Sequence, residues 1–172
     1  MRIGAIGIDS SHTPVFTKAI NALHKEGKTK CQVTAFWDPG THEWQHPAGP
    51  EQSKKDVAKW REDTIAEGAR QVDSLDALLG QVDGVMVLNI NGHRHLELAI
   101  GPIAKGMPTY IDKPLTCSID QAKALLASFM RDRLKGYRWG RKEMCKRHCS
   151  YLSAYIHFGH ISTVYVALKV GR

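Results

Sequence analysis

The chain has 172 residues, 42% hydrophobic and 24% charged, which fits one globular domain with a buried core. The net charge of +7 is concentrated at one end: residues 1–128 carry 14 Lys and Arg against 15 Asp and Glu, whereas residues 129–172 carry 10 against 2. A near-neutral body argues against a nucleic-acid-binding domain, which would spread Lys and Arg over the face that meets phosphates.

The first part of the chain has the pattern of a strand, a helix and a second strand. An apolar strand is predicted at residues 2–8, and a helix from about Pro14 to Gly27. A second strand follows at residues 32–37 and closes with Asp38 ahead of a Pro-Gly turn. The residues predicted to form the buried stripe of the helix are Val15, Phe16, Ala19, Ile20 and Leu23.

The middle of the chain is predicted to be a loop, a charged helix, a short strand and a helical turn. The loop covers residues 41–49 and the helix residues 51–67; the short strand is residues 71–72, and the turn carries leucines at 75, 78 and 79. The inward positions predicted for the charged helix are Val57, Ala58, Trp60 and Ile65.

Residues 82–115 read as strand, loop, helix and strand. The continuous apolar run 85–88 suits a strand buried on both faces of a parallel sheet. A helix is predicted from His95 to Gly106, with its buried stripe at Leu96, Ala99, Ile100 and Ile103. Residues 109–111 form the next strand, so Asp112 and Lys113 follow its carboxyl end, where open α/β sheets place their ligands.

The spacing from His95 to Lys113, with Gly106 between and Pro114 after, resembles the signature of the Gfo/Idh/MocA oxidoreductases. Members typically have Glu-Lys-Pro where this chain has Asp112-Lys113-Pro114, and many have Pro-Asn in place of Asn91-Gly92. The resemblance covers roughly residues 1–128. It implies an α/β, Rossmann-type doubly wound parallel sheet that binds NAD or NADP, followed in 129–172 by only a remnant of the second α+β domain.

The loop after the first strand departs from the dinucleotide-binding pattern Gly-x-Gly-x-x-Gly, because it keeps Gly7 but has Asp9 and His12 at the other glycine positions. A carboxylate about 4 Å from a phosphate charge is repelled by about 4 kcal/mol at an effective dielectric near 20. Binding therefore requires Asp9 to point away, and the capping preference of Asp and Ser predicts that Asp9 or Ser11 bonds the amides of the first helical turn. Ser10 and Ser11 then remain as phosphate donors, so the predicted phosphate-binding residues are Gly7, Asp9, Ser10, Ser11 and His12.

Asp38 has two interpretations: it binds the adenosine ribose hydroxyls, which favours NAD, or it only starts the turn before Pro39-Gly40. The resemblance also implies cofactor contacts for Asn89, Asn91 and His95; the alternative for His95 is a capping or surface residue. It places Lys113 beside the nicotinamide, bound to the substrate hydroxyl, with Asp112 positioning it. A fixed ammonium there can pass on the hydroxyl proton, whereas the alternative is a solvated surface lysine.

Residues 118–121 have the form of a capping box at the start of a helix.

Residues 129–172, which follow that helix, match the family poorly. This basic stretch is either a fragment with a frame error or divergent insert between about 129 and 155, or an arm for an acidic partner. Residues 159–161 resemble the opening of the family's second domain, and 161–170 read as a strand. The second domain's Asp-x-x-x-His motif is absent, since no Asp precedes a His by four residues in this tail.

The predicted function is hydride transfer between nicotinamide and a sugar or polyol hydroxyl, with this chain alone inactive or nearly so because its substrate domain is missing. The alternative is a non-catalytic dinucleotide-fold module that has lost its cofactor. Members of the family often pair through the sheet of the second domain, which is missing here, so the resemblance leaves open whether this chain forms a homo-oligomer.

The four cysteines, at 31, 117, 145 and 149, are too few and scattered for a disulfide framework, which favours a reduced, cytoplasmic setting. Neither His93 with His95 nor the tail cluster of Cys145, His148 and Cys149 has the ligand set of a metal site. No segment has the pattern of a signal peptide or membrane span.

Overall fold

The structure is a computed structural model that describes residues 1–132 and Leu168. The predictions made for residues 133–167 and 169–172, including the tail cysteines and the remnant of a second domain, lie outside the described residues. The chain divides into two compact units, Met1–Asn91 and Gly92–Arg172.

The first unit alternates strands and helices. Its elements are β1 (Arg2–Ile6), α1 (His12–Lys25), β2 (Gln32–Trp37), α2 (Pro50–Ala66), β3 (Arg70–Val72), α3 (Leu75–Leu79) and β4 (Gly84–Val87). The described elements of the second unit are a 3-10 turn (Gly92–Arg94), α4 (His95–Ala104), β5 (Thr109–Ile111) and α5 (Ile119–Asp132).

The strands of the first unit are parallel and lie in the order β3-β2-β1-β4. Ile6 at the end of β1 is level with Trp37 of β2 and Val87 of β4. The Gly7 amide donates to the Trp37 carbonyl at 3.0 Å, and the Leu88 amide donates to the Ile6 carbonyl at 2.8 Å. The loops after β1, β2 and β4 therefore start at one edge of the sheet, and the predicted α/β fold with a parallel sheet is confirmed.

The core of this unit forms where the sheet meets its helices. Every residue of β4 is buried, as expected for a strand covered on both faces. Val57 of α2 packs into the same cluster, and Trp60 is packed against it. The buried members of the cluster are Ile3, Ala5, Ile8, Val33, Phe36, Val57, Ala69, Met86 and Leu88.

The buried face of α1 differs from the prediction. Val15 and Leu23, placed inward by the apolar pattern, are 56% and 44% exposed, whereas the polar residues Thr13, Thr17 and Asn21 are buried. Asn21 explains the exchange, because its amide group donates to the carbonyls of Val33 and Glu67 and accepts from the Val33 amide. A buried polar side chain that bonds backbone groups in this way is stable inside the fold.

Two other helix faces were also predicted with errors. In α2, Ala58 and Ile65 are exposed, and Thr64 is buried instead, with its hydroxyl donating to the Trp60 carbonyl. In α4, Ile100 is 44% exposed, and the buried residues are His95, Leu98, Ala99 and Pro102.

The capping box predicted at residues 118–121 does not form. The Ser118 amide is bound by the Thr116 hydroxyl at 2.8 Å, and the Gln121 side chain donates to the His93 carbonyl at 3.2 Å. The residue types fit a capping box, but the Ser118 amide bonds the Thr116 hydroxyl and the Gln121 side chain bonds the His93 carbonyl, so the two residues do not bond each other.

Candidate functional site

The loop between β1 and α1 needs its one glycine. Gly7 has φ +99°, which favours glycine, and an added Cβ would lie 2.5 Å from Asn89 Oδ1 and 2.9 Å from the Asn89 amide nitrogen. The loop after β1 and the loop after β4 therefore touch at Gly7.

Asp9 does not cap α1, so that prediction was wrong. Its carboxylate instead accepts hydrogen bonds from the amides of Glu43 and Ile90, each at 3.4 Å, and from the Asn89 side chain at 3.5 Å. The residue is 1% exposed. These partners lie in the loops after β2 and β4, so the carboxylate is directed to them.

The cap of α1 is also not supplied by the Ser11 side chain, although Ser11 occupies the N-cap position. Instead, the Ser10 hydroxyl accepts a hydrogen bond from the amide of His12, the first residue of α1, at 3.0 Å. Ser11 is exposed, and the His12 ring stacks on Phe16 with the ring centroids 5.3 Å apart.

Burial raises the pKa of the Asp9 carboxyl above its usual range, although the amides of Glu43 and Ile90 and the attraction of His42 act in the other direction. The carboxyl is buried and bonded to the loops after β2 and β4, so it is not aimed at the N-terminus of α1.

Glu43 joins Asn91, one of the two asparagines predicted to contact a cofactor, to Asp9, whereas Asn89 bonds Asp9 directly. The Glu43 carboxylate accepts from the Asn91 side chain at 2.6 Å while its amide donates to Asp9. Sequence reasoning missed Glu43, because it stands in a loop without periodicity. Asn89 and Asn91 are brought to Asp9, as their position after β4 requires.

Asp38 follows β2, and its side chain is 6% exposed. Its carboxylate accepts from the Gly40 amide at 2.8 Å, from His42 Nε2 at 2.9 and 3.0 Å, and from Arg61 Nη2 at 2.5 Å. The turn before Gly40, whose φ is +75°, is therefore formed, and Asp38 is also part of an ion cluster. Sequence reasoning missed His42 and Arg61; the spacing of four between Asp38 and His42 was the only local signal.

The loop fits a dinucleotide pyrophosphate by its chemistry. A helix N-terminus favours anions, since its first amides point outward and its dipole is positive there. Ser11 sits at that terminus, exposed, with a hydroxyl that makes no capping bond. Ser10 is 9% exposed beside it.

In the second unit, Asp112 and Lys113 follow β5, as predicted. Asp112 is 5% exposed and accepts a hydrogen bond from the Tyr110 hydroxyl at 3.3 Å. Lys113 Nζ lies 3.7 Å from Asp112 Oδ2, and its side chain is 60% exposed. Burial, with a further contribution from Asp112, raises the pKa of Tyr110, so this phenol stays protonated as the donor. A solvent-exposed ammonium thus lies within ion-pair distance of a buried carboxylate.

His95 is neither a surface residue nor a cap, so both parts of the alternative interpretation were wrong. It is the first residue of α4, is fully buried, and its Nδ1 lies 2.7 Å from the Pro114 carbonyl and 3.2 Å from the Leu115 carbonyl. An added Cβ on Gly92 would lie 2.7 Å from Pro114 Cγ. His95 and Gly92 together hold the segment that carries Lys113.

Residues 1–132 contain no group of three His, Cys, Asp or Glu side chains placed to hold a metal ion. Among the helices of this described part, none has the length and apolar character needed to cross a membrane.

Comparisons with known proteins agree with this geometry. The Gfo/Idh/MocA profile, described as an oxidoreductase family with an NAD-binding Rossmann fold, matches residues 1–135. No curated protein sequence gives a significant match.

Three solved structures illustrate the likeness in fold. UDP-N-acetylglucosamine 3-dehydrogenase GnnA from Acidithiobacillus ferrooxidans has a TM-score of 0.52 at 23% identity, over 77% of this chain and 35% of that one. An NAD binding oxidoreductase from Klebsiella pneumoniae has a TM-score of 0.53 at 20% identity, over 77% of this chain and 32% of that one. The WlbA dehydrogenase from Bordetella pertussis, in complex with NADH and UDP-GlcNAcA, has a TM-score of 0.54 at 18% identity, over 76% of this chain and 34% of that one.

The present chain thus spans about a third of the length of these structures. At such identities the likeness establishes the fold. The profile covers most of the sequence, so this chain belongs to the Gfo/Idh/MocA oxidoreductase family, with an NAD-binding Rossmann fold over residues 1–135.

Proposed function

We propose that this chain is the dinucleotide-binding part of an NAD(P)-dependent oxidoreductase that transfers hydride between nicotinamide and a sugar or polyol hydroxyl. The observation that carries the proposal is the orientation of Asp9, whose carboxylate bonds the amides of Glu43 and Ile90. The N-terminus of α1 is then available to a pyrophosphate without a carboxylate aimed at it.

In this proposal the loop 7–12 holds the pyrophosphate. Gly7 allows the close approach of the loops, and the Ser11 hydroxyl donates to a phosphate oxygen at the start of α1. The Ser10 hydroxyl, which already accepts from His12, keeps its own proton for a second phosphate oxygen. Asp9, Asn89 and Asn91 act by fixing the loops around this position.

The chemistry assigned to this chain is proton transfer by Lys113. The nicotinamide, when bound, supplies or accepts the hydride. Lys113 Nζ would bind the substrate hydroxyl, stabilise it as its proton leaves, and return that proton in the reverse reaction. Asp112, fixed by Tyr110, sets the position of the ammonium at 3.7 Å. His95 supports the same segment through Pro114.

A sugar-like substrate is proposed because two of the similar structures are sugar-nucleotide proteins: one is a UDP-N-acetylglucosamine 3-dehydrogenase, and the other was solved with UDP-GlcNAcA. We further propose that these 172 residues alone turn over slowly, since residues 129–172 lack the Asp-x-x-x-His motif that the family uses at its substrate. A reduced, cytoplasmic setting and pairing with a second copy in a complete relative belong to the same proposal.

The second candidate is a non-catalytic module that has lost its cofactor. The observation that favours it is the bridge from Glu43 to Asn91 beside a loop in which two of three glycines are replaced. Such a bridge could hold the loops closed without any ligand.

Amide chemical shifts of the ¹⁵N-labelled chain would separate these candidates. Adding NADH should shift the signals of Ser10, Ser11 and His12, and ADP-ribose, which lacks nicotinamide, should shift the same three. If neither ligand shifts them, the non-catalytic module becomes the better account. A Ser118→Ala variant is the control, because its hydroxyl lies outside the proposed phosphate loop.

Turnover is measured separately by following the formation of NADH from NAD and of NADPH from NADP with a panel of inositols and UDP-sugars. We expect little or no reaction from the 172 residues. Robust turnover would overturn the proposal that this chain alone is slow, and loss of that turnover in Lys113→Gln would still support the assigned role of the lysine.

A further inference from the structure

The carboxylate of Asp38 is already bound by three donor groups and is nearly closed to a ribose hydroxyl. Oδ1 accepts from the Gly40 amide at 2.8 Å, and Oδ2 lies 2.5 Å from Arg61 Nη2. The third group is His42 Nε2, which lies 3.0 Å from Oδ1 and 2.9 Å from Oδ2 and shares its single N–H between them. With the side chain only 6% exposed, a ribose hydroxyl could bind only by displacing one of these partners.

The charge of Asp38 is also compensated. Burial opposes ionisation, but bonds from Gly40, His42 and Arg61 outweigh it and hold the pKa of Asp38 below its ordinary value. The ionised carboxylate therefore faces a guanidinium at contact distance. The negative charge of Asp38, which would repel an anion arriving nearby, is therefore balanced by the positive charge of Arg61.

Arg61 keeps donor capacity beyond this pair. Its Nε is buried and has no hydrogen-bond partner, and a guanidinium carries five N–H donors in a fixed fork. A buried donor without an acceptor is costly, and it is usually explained by a water or ion that completes it. The side chain as a whole is 33% exposed, so part of it is open to a ligand.

Arg61 and His42 also line a cavity of about 550 Å³ between the loop 42–49 and α2. His46 and Lys54 share that lining, and Lys54 is paired with the exposed Glu51 at 2.8 Å. None of the described lining residues is acidic. The lining residues that can carry positive charge are His42, His46, Lys54 and Arg61.

We infer that Arg61 and His42 form a subsite for the 2′-phosphate of NADP(H), so that this chain binds NADP(H) in preference to NAD(H). In dinucleotide folds the acid after the second strand bonds the ribose 2′-hydroxyl of NAD, whereas a nearby Arg accommodates the 2′-phosphate of NADP. The expectation of NAD from the sequence depended on an available Asp38 carboxylate, and that carboxylate is engaged. The inference rests on the proposed dinucleotide function and specifies its cofactor.

The test compares NADPH with NADH, and 2′,5′-ADP with 5′-AMP, by equilibrium titration of the whole chain. The two adenosine fragments report on the subsite without nicotinamide. We expect NADPH and 2′,5′-ADP to bind roughly tenfold or more tightly than their counterparts, as a charged hydrogen-bonded contact implies.

Arg61→Gln should abolish the preference by weakening NADPH roughly tenfold, while NADH binds as well as before or better, because Asp38 is released. Arg61→Lys keeps the charge and should retain part of the preference. Lys59→Gln is the matched control: it removes the same charge from the same helix, but Lys59 pairs with Asp63 at 3.0 Å. Its preference should equal that of the unaltered chain.

Equal or tighter binding of NADH by the unaltered chain would overturn the inference and leave the proposed function standing. Binding of neither dinucleotide would overturn both. An unchanged preference in Arg61→Gln, with the fold intact by circular dichroism, would also overturn the assignment to Arg61.

Discussion

The carboxylate of Asp9 accepts a hydrogen bond from the backbone amide of Ile90 at 3.4 Å, across 81 positions of sequence. This contact ties the loop after β1 to the loop after β4. It also turns the carboxylate from the helix terminus where a glycine-rich loop would meet a phosphate. A residue that breaks the glycine pattern therefore acts as a tie between loops.

The raised pKa of Asp9 gives the stability of the chain a defined pH dependence. Since the folded pKa exceeds the ordinary value of 3.8, the favourable contribution is present below that value and is lost as pH rises through the folded pKa. Asp9→Asn should remove this loss of stability with rising pH. Its free energy of unfolding at pH 7 should lie within about 1 kcal/mol of that of the unaltered chain. Urea unfolding of both proteins from pH 4 to pH 8 measures the difference. Parallel pH profiles would contradict the assignment.

Gly7→Ala should be much more damaging than Gly27→Ala. Both glycines have positive φ, at +99° and +72°, but only Gly7 has atoms within reach of an added Cβ, those of Asn89. We expect Gly27→Ala to cost about 1–2 kcal/mol and Gly7→Ala about 3 kcal/mol or more. Thermal and urea unfolding compare the two. Equal losses would mean that the close approach of Asn89 is unimportant.

Asn21→Ala should destabilise the chain more than Leu23→Ala. The Asn21 side chain makes two buried hydrogen bonds to Val33 and a partly buried one to Glu67, and their loss should cost about 2–4 kcal/mol. Leu23 is 44% exposed, so its truncation should cost under about 1 kcal/mol. Free energies of unfolding in urea decide the order, and a larger effect of Leu23→Ala would contradict the observed face of α1.

Asp83 should stabilise the chain above pH 4 and lose this effect in acid. Hydrogen bonds from Arg2, through its guanidinium and its amide, lower the pKa of Asp83 to about 2. Its contribution is therefore full above the ordinary value of 3.8 and disappears as pH falls through about 2. Because the pair is exposed and screened, Asp83→Asn should cost only about 1 kcal/mol at pH 7. Unfolding at low and at 1 M salt checks this, with the exposed Asp120→Asn as control; a loss as large at pH 2 as at pH 7 would contradict it.

The strands and the Lys113 segment could be predicted from sequence because their signals are local. Short segments rich in β-branched and aromatic residues, each next to a Pro or Gly turn, predicted β2 and β5 at the residues observed. The family signature likewise spans a short stretch around β5, and the profile match confirms it.

The helix faces and the contacts of the acids could not be predicted, because their partners are distant. Asn21 is buried only because Val33 and Glu67 offer backbone groups to it. Arg61 reaches Asp38 from 23 positions away, in a helix for which only apolar residues were predicted to face inward. The roles assigned to Lys113, Asp112 and the loop residues stay predictions.

The most direct test is a fluorescence titration of the purified chain with NADPH and NADH, alongside Asp9→Gly. The account predicts saturable binding by the unaltered chain, and an Asp9→Gly affinity within a few-fold of it, because the Asp9 carboxylate already bonds Glu43 and Ile90. Absence of binding until Asp9 is replaced would contradict the account, and the chain would then be a dinucleotide fold that repels its cofactor.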